Sequence, residues 1–460
     1  MNASIFEKRT SKICMIVAVG GLLFGFDTAV ISGAIGLIKS QFDLSTVMEG
    51  WLVSSGLAGC FIGVLATGLI SERIGRKKSI VIAAVMFFLS GIGCSFAPSV
   101  DMLILARMVG GIGVGMASVI SPMYISEFAP AKNRGRMIGY YQLAITSGIL
   151  IAYFSNAWVA HLANTSYDSS LLNRLLHSES WRMMFLVMCV PSTLFLLLLI
   201  KVPESPRWLV GINEINEARR ILFCLRPLEM AEKEIADIQT TRSRHNSSVL
   251  KWRDQSVRLP LIIGIVLAIL QQFSGINAII YYGPTIFESA GLPADNALML
   301  QTIIGAVNVL FTLVALKYSD KYGRKLLLKT GLAGIILSLL GCGFLFYTGN
   351  THGSALLILM LVYIACFAFS IGPVTWIIIN EIFPNHVRAK AVMLCTLFLW
   401  IAVWMVGQFF PWLLNKTGAA VTFWVFTGFS IVNLIFSLKV VKETSGKTLE
   451  EMEEVFLAPH

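Results

Sequence analysis

Two charges stand alone inside long apolar runs: Asp27 in the run 13–36 and Arg107 in the run 102–125. A charge held in hydrocarbon is costly, so a residue of this kind marks a functional site by default. At about 1.5 Å per helical residue, Asp27 lies about 13 Å below one end of its run, and Arg107 about 8 Å below the matching end of its own. These depths agree within an arginine's reach, so the two side chains can meet. A carboxylate beside a guanidinium keeps its charge, and one parted from it and from water takes up a proton more readily. Asp27 and Arg107 therefore read as a proton-coupling pair. The competing reading is a static ion pair that locks two helices. Several amides lie within the apolar runs, among them Gln142, Gln271, Gln272, Asn277 and Asn308. Neighbouring Gln271 and Gln272 diverge by about 100° around a helix, and both cannot face lipid cheaply. Such amides either meet a polar ligand or join two helices.

No nucleophile–base set and no cluster of metal ligands accompanies these residues, so neither an enzyme nor a cofactor or metal is expected. The segment Gly110-Gly111-Ile112-Gly113-Val114-Gly115 echoes a dinucleotide-binding loop, but no strand precedes it. Close helix packing is its expected role. The eight cysteines show no C-x-x-C spacing and read as small buried hydrophobes.

The elements that must position these residues follow from composition. Of 460 residues 56% are apolar and 13% charged, with a mean hydropathy of +0.75. Soluble domains carry about a quarter charged residues. A soluble enzyme, a disordered chain and a disulfide scaffold are excluded. Twelve apolar stretches reach the roughly 20 residues a membrane helix needs: 13–36, 50–70, 79–97, 102–125, 137–160, 183–201, 259–286, 297–316, 326–347, 355–380, 391–414 and 420–439. Of the 36 Lys and Arg residues, 31 fall in the termini and alternate loops on one side. The positive-inside rule then places both termini in the cytoplasm. It also accounts for the net charge of +10 without a nucleic-acid partner.

Residues 202–258 interrupt the pattern with a basic stretch in which Ile215, Ala218, Leu222 and Leu225, then Ala231, Ile235 and Ile238, recur at helical spacing. The expected division is an N-terminal six-helix bundle (1–201), a cytoplasmic linker of amphipathic helices (202–258), a C-terminal six-helix bundle (259–440) and a cytoplasmic tail (441–460). The halves repeat. Glu72-Arg73-Ile74-Gly75-Arg76-Lys77 after the second run matches Asp320-Lys321-Tyr322-Gly323-Arg324-Lys325 after the eighth. Glu127 and Arg134 after the fourth run match Glu381 and Arg388 after the tenth. Internal repeats of this kind build secondary transporters, with the site between the halves near midplane. The repeated charges, with Glu204, are expected to form ion pairs between the halves that gate the cytoplasmic mouth.

Those loops, Pro203-Glu204-Ser205-Pro206-Arg207-Trp208, Gln271-Gln272-Phe273-Ser274-Gly275-Ile276-Asn277 and Glu381-Ile382-Phe383-Pro384 resemble the sugar porters of the major facilitator superfamily over essentially the whole chain. The segment Gly21 to Gly33, which contains Asp27, is similar to the bacterial sugar–proton symporters, the xylose–proton symporters above all. The resemblance implies that Asp27 couples the proton and that Arg107 modulates it. It implies that Gln142, Gln271, Gln272, Asn277 and Asn308 contact sugar in a cavity lined by Phe24, Tyr281, Trp376 and Trp400. Amides suit this task because they both donate to and accept from hydroxyls, and aromatic faces suit an apolar sugar ring. Gly372-Pro373 marks a span that flexes in this family.

Three positions depart from the family pattern. Leu399 replaces the usual amide before Trp400 and removes a hydrogen bond worth about 1 kcal/mol. Glu72 replaces an aspartate, and Lys442 a proline.

The resulting expectation is an all-α membrane protein with twelve transmembrane helices in two bundles. It carries a monosaccharide, D-xylose or a related pentose or hexose, with a proton by alternating access. An uncoupled facilitator and a transporter-like sugar sensor are the alternatives. The expected setting is the cell inner membrane, with sugar, proton and lipid as the partners of a monomer.

Overall fold

An apolar run in hydrocarbon must satisfy its own backbone, and within one segment only a helix does so. The computed structural model describes residues 3–129, 134–164, 169–245, 255–351, 354–383 and 387–444, and among them holds helices and no strand. The first five crossings are α1 (Ala3–Phe42), α2 (Thr46–Ile74), α3 (Arg76–Ser95), α4 (Val100–Phe128) and α5 (Arg134–Leu162). They outrun the apolar stretches because helix-forming polar residues continue each one past the hydrocarbon. Ser45 and Ser99 cap α2 and α4, each accepting from the backbone N–H three residues on. A short α6 (Ser170–Asn173) and a π turn precede the sixth crossing, which is built from α7 (Trp181–Leu186) and α8 (Cys189–Leu199).

Residues 206–245 form α9 (Pro206–Gly211), α10 (Ile215–Leu225) and α11 (Leu228–His245). Their apolar faces, including Ala218, Leu222, Leu225, Ala231 and Ile235, are buried. Arg226 Nη2 donates to Phe128 O at 3.1 Å and Trp208 Nε1 to Glu72 O at 2.9 Å, so these helices lie against the ends of α4 and α2.

The second half contains α12 (Gln255–Gln272), α13 (Ile276–Ser289), α14 (Ala294–Tyr322), α15 (Arg324–Thr348), α16 (Ala355–Phe369), α17 (Ile371–Glu381) and α18 (Arg388–Lys439). α12 and α13 are one crossing broken before Gly275 (φ 92°), and α16 and α17 are one broken at Ser370 (φ −120°, ψ −98°). Pro373 falls in the first turn of α17, where a missing N–H breaks no helical bond. Among the described residues eleven helical segments are long and apolar enough to cross a membrane, and the last is double. Gly418 (φ 80°) interrupts α18, and the rings of Phe410 and Phe426 lie 6.2 Å apart. A continuous helix would hold those residues about 24 Å apart. The chain therefore doubles back at Gly418, and twelve crossings result.

In the first half α1 packs on α5 and α4, α2 on α4, and α3 on α4 and α8. In the second, α18 packs on α12 and α15, and α16 on α14 and α15. The halves meet where α2 touches α18, α5 touches α14, and α1 touches α13. The glycine-rich run of α4 serves close packing. A Cβ on Gly111 would sit 1.8 Å from Gly56 O, and one on Gly115 2.1 Å from Cys60 O, so any side chain there would force α2 and α4 apart.

Candidate functional site

Asp27 on α1 and Arg107 on α4 are both buried, each 3% exposed. The expected ion pair is not closed: Asp27 Oδ1, and Arg107 Nε and Nη1, lie buried without a hydrogen-bond partner. Packing explains the separation. Arg107 is held 5.8 Å from the Phe185 ring centroid, and its Nη2 sits 3.0 Å from where a Gly56 Cβ would be. Asp27 Oδ1 points to Gly110, 2.9 Å from the position a Cβ would fill, with Ser90 Oγ 2.5 Å from that point. A buried carboxylate with an unmet oxygen is suited to gaining and losing a proton, and the permanently charged guanidinium of Arg107 is suited to bias that exchange.

The amides gather where α12 breaks into α13. Gln271 Nε2 donates to the carbonyls of Ile371 (2.7 Å) and Gly372 (3.0 Å), bracing the start of α17. Gln272 Nε2 donates to Gln271 Oε1 at 3.1 Å, and Asn277 Nδ2 to Gln272 Oε1 at 2.5 Å. Two buried donors stand open: Tyr281 Oη and Trp400 Nε1. Phe24 on α1 reaches Trp400 across the halves, with ring centroids 5.5 Å apart and planes tilted by 42°. Gln142 on α5 and Trp376 on α17 are half-buried, and Asn308 on α14 is buried. Among the described residues no hydrogen bond joins these three to the amide chain. Leu399 is buried at 6% exposure and offers no polar atom beside Trp400. A linked run of amides, open Tyr and Trp donors and tilted aromatic faces make a place for a small ligand rich in hydroxyls.

The repeated loop charges form two matching clips at the end of the molecule where the basic loops lie, here the basic end. Arg76 Nε pairs with Glu127 Oε1 at 3.3 Å, and Ser205 Oγ donates to the other Glu127 oxygen. Glu204 Oε1 accepts from the backbone N–H groups of Arg76 (2.9 Å), Lys77 (3.0 Å) and Ser205 (2.8 Å). In the second half Arg324 Nη2 pairs with Glu381 Oε1 at 3.0 Å, and Thr444 Oγ1 donates to Glu381 Oε2 at 2.5 Å. Glu443 accepts from the N–H groups of Arg324 (2.9 Å), Lys325 (3.0 Å) and Thr444 (3.1 Å). Gly75 (φ 97°) and Gly323 (φ 79°) turn the chain into these carboxylates. A Cβ on Gly75 would come 2.3 Å from Glu204 Oε2, so only glycine fits.

The expectation of ion pairs between the halves is corrected here. Arg76–Glu127 and Arg324–Glu381 each close within one half, because the loop arginine and the acid end adjacent helices of the same repeat. Glu72 is exposed; its backbone carbonyl accepts from Trp208, and among the described residues its carboxylate forms no ion pair. The side chains of Arg134, Asp320 and Arg388 fall outside what the structure describes.

At the opposite, far end the halves are joined by hydrogen bonds, while apolar contact between α5 and α14 runs on toward the basic end, where a Cβ on Gly139 would meet Leu316 at 2.4 Å. Ser54 Oγ on α2 donates to Gln408 Oε1 on α18 at 2.7 Å, Gln408 Nε2 donates to Val47 O at 3.3 Å, and Asn415 Nδ2 to Thr46 Oγ1 at 3.3 Å. On the same end Glu179 binds Arg174 at 2.8 Å, Arg182, and Gln41 Nε2 at 2.9 Å. Burial raises the Glu179 carboxyl, but the hydrogen bonds and charges of Arg174 and Arg182 outweigh it and hold the group below the usual carboxylate range.

Sequence reasoning missed Ser205, Glu443, Thr444 and Gln408. A Glu-Ser after the sixth crossing and a Glu-Thr after the twelfth were a readable repeat. Gln408 was one more amide inside an apolar run.

Residues 13–456 match the family model described as Sugar (and other) transporter. An arabinose-proton symporter of Bacillus subtilis (strain 168) is 40% identical over 446 residues, covering 97% of this chain and 94% of that protein. The D-xylose-proton symporter of Escherichia coli (strain K12) is 36% identical over 488 residues, covering 99% and 97%. Among solved structures, a partially occluded inward-open conformation of the xylose transporter XylE from E. coli superposes with a TM-score of 0.83. It is 36% identical and covers 95% of this chain and 99% of that one.

Proposed function

The chain belongs to the sugar transporter family, and from that premise we propose that it moves a monosaccharide together with a proton across the membrane by alternating access. It is a multi-pass membrane protein and a transporter rather than an enzyme. One observation carries the proposal: a buried chain of amides with open Tyr281 and Trp400 donors lies in the same bundle pair as an unpaired, buried Asp27 and Arg107.

In this reading the sugar hydroxyls bond Gln142, Gln271, Gln272, Asn277 and Asn308, while Phe24, Tyr281, Trp376 and Trp400 enclose the ring. Asp27 takes a proton while it stands apart from Arg107, and gives it up when the pair closes. The relatives named above are symporters of arabinose and D-xylose, which supports a pentose or a closely related hexose as cargo. Leu399 places an apolar contact where a second hydroxyl-binding amide would alter sugar choice. The two six-helix bundles, 1–201 and 259–440, rock about the site. The linker 202–258 and the tail 441–460 lie in the cytoplasm with both termini. The distribution of Lys and Arg supports this orientation, with the bacterial inner membrane as the setting and a monomer as the working unit. Arg76, Glu127, Arg134, Glu204, Asp320, Arg324, Glu381 and Arg388 then line the cytoplasmic mouth. Their described pairs stiffen each bundle as it moves.

The test is proton movement in proteoliposomes, followed with a pH dye while pentoses and hexoses are added one at a time. External alkalinisation with one sugar is the expected result. Sugar counterflow without a pH change would leave an uncoupled facilitator, and binding without either signal a sensor. Asp27→Asn is expected to abolish gradient-driven accumulation while sparing counterflow. Accumulation at the wild-type level by that variant would refute the role of Asp27.

A further inference from the structure

The outer part of the broken seventh crossing leaves the carbonyl of Ile280 without its helical donor. Pro284 lies inside α13 and has no N–H to offer Ile280 O, and Tyr282 departs from helical dihedrals (φ −118°, ψ 16°). A carbonyl in hydrocarbon must find another donor. Two side chains from different halves supply it. Tyr153 of α5 donates its hydroxyl to Ile280 O at 3.1 Å. Gln301 of α14 donates Nε2 to Ile279 O at 3.0 Å and to Ile280 O at 3.4 Å.

The local shapes are built for these two residues, which are 2% and 1% exposed. A Cβ on Gly305 of α14 would lie 2.9 Å from Tyr153 Cδ2, so the tyrosine ring of the first half sits in a notch of the second. A Cβ on Gly283 would lie 1.9 Å from Gln301 Oε1, so the amide rests directly on the kinked backbone. The next residue after Ile280 is Tyr281, whose hydroxyl stands open.

We propose that Tyr153 is a positioning residue that holds the kinked segment of α13, and with it Tyr281, in the closed-site arrangement, and that Gln301 takes over Ile280 O when the halves part. The proposal rests on the alternating-access reading given under the proposed function. Tyr153 belongs to the half that leaves, so its bond to Ile280 breaks on opening. Gln301 travels with α13, already bonds the neighbouring carbonyl, and has only a few tenths of an ångström to close. The two side chains therefore stabilise opposite states of one carbonyl.

The variants Tyr153→Phe and Gln301→Met test this in the full chain in lipid, with amide hydrogen exchange read by mass spectrometry over residues 46–54, 276–289 and 403–410. Losing one neutral hydrogen bond from one state shifts the balance about fivefold. Tyr153→Phe is expected to speed exchange in these segments by about that factor, with α15 unchanged. Gln301→Met is expected to slow it in residues 46–54 and 403–410. A purely structural role would raise exchange in both variants, and that result, or no change in Tyr153→Phe, would overturn the proposal. If Gln301→Met does not fold, Tyr153→Phe decides through residues 46–54 and 403–410, which the bond does not touch: faster exchange there supports the proposal, and a rise confined to 276–289 overturns it. The readout needs no sugar, so it stands apart from the transport test. Symport by the wild type with both variants moving the same way would sink this inference and leave the transport reading intact.

Discussion

At the basic end each half is tied to itself, Arg76 to Glu127 and Arg324 to Glu381, whereas at the far end the halves are tied to each other through Ser54, Gln408, Val47, Thr46 and Asn415. The chemistry differs as sharply as the location. The ties within a half are charged and partly buried, and removing one partner of a buried pair costs about 3–5 kcal/mol. The ties between halves are neutral hydrogen bonds worth about 1 kcal/mol each. A joint that must open in every cycle is best made of a few weak bonds, since conformers that exchange differ by only a few kcal/mol. A joint that must stay shut while its bundle moves is best made of buried charge. In the conformation described here the halves are joined at the far end by neutral bonds, as suits a closure that has to open.

The largest expected effect comes from attacking a clip through its backbone. Gly75→Ala forces a side chain into a glycine-only conformation and against Glu204, at a cost on the order of 3 kcal/mol. Gly323→Ala should cost less, because a Cβ there meets Glu443 Oε2 at 3.0 Å rather than 2.3 Å. Thermal melting of both variants in nanodiscs would check the order, and equal losses would mean that the clips are not distinguished by this contact.

Next comes the acid itself. Glu127 is 9% exposed and Glu381 28%. Glu127→Gln should approach the buried-pair cost of about 3 kcal/mol, and Glu381→Gln should fall nearer about 1 kcal/mol. Parallel melts would show the gap or remove it.

A smaller effect is expected at the far end. Gln408→Ala loses two neutral bonds, roughly 2 kcal/mol together, and should favour the state open at that end without lowering the melting temperature as the clip variants do. Faster amide exchange over residues 46–54 is the sign to look for, and a melting loss as large as that of Glu127→Gln would erase the contrast between the ends.

The smallest is a pH effect at Glu179. Its carboxyl is held below the usual range, so its contribution to stability is full above the ordinary carboxylate range and is lost as pH falls through its lowered pKa. Glu179→Gln should flatten the acid limb of the stability profile and leave neutral pH almost unchanged in slope. An acid limb of wild-type steepness in that variant would show that other carboxylates set it.

Much of the architecture was readable before any coordinate. The apolar runs marked twelve crossings, including the two that share α18, because Gly418 hides the reversal from a helix assignment but not from hydropathy. The amides and Asp27 announced themselves by standing where polar groups are expensive. Less legible was who pairs with whom. Asp27 and Arg107 have matching depths, yet Arg107 lies against Phe185 and Gly56 and the ion pair stays open. The loop charges repeat between the halves, and repetition alone does not say whether a pair closes within a repeat or across two.

What the sequence determined by itself was everything that depends on local free energy: which segments leave water, which face the bulk of the Lys and Arg residues occupies, and which residues need a polar partner they do not carry. What only the tertiary structure decided was the identity of those partners. Glu443 receives the N–H groups of Arg324 and Lys325 from across the bundle, and Tyr153 reaches Ile280 from the other half. A hydrogen bond is satisfied over about 3 Å, a distance that helix packing sets between residues more than a hundred positions apart and that no periodicity along the chain encodes.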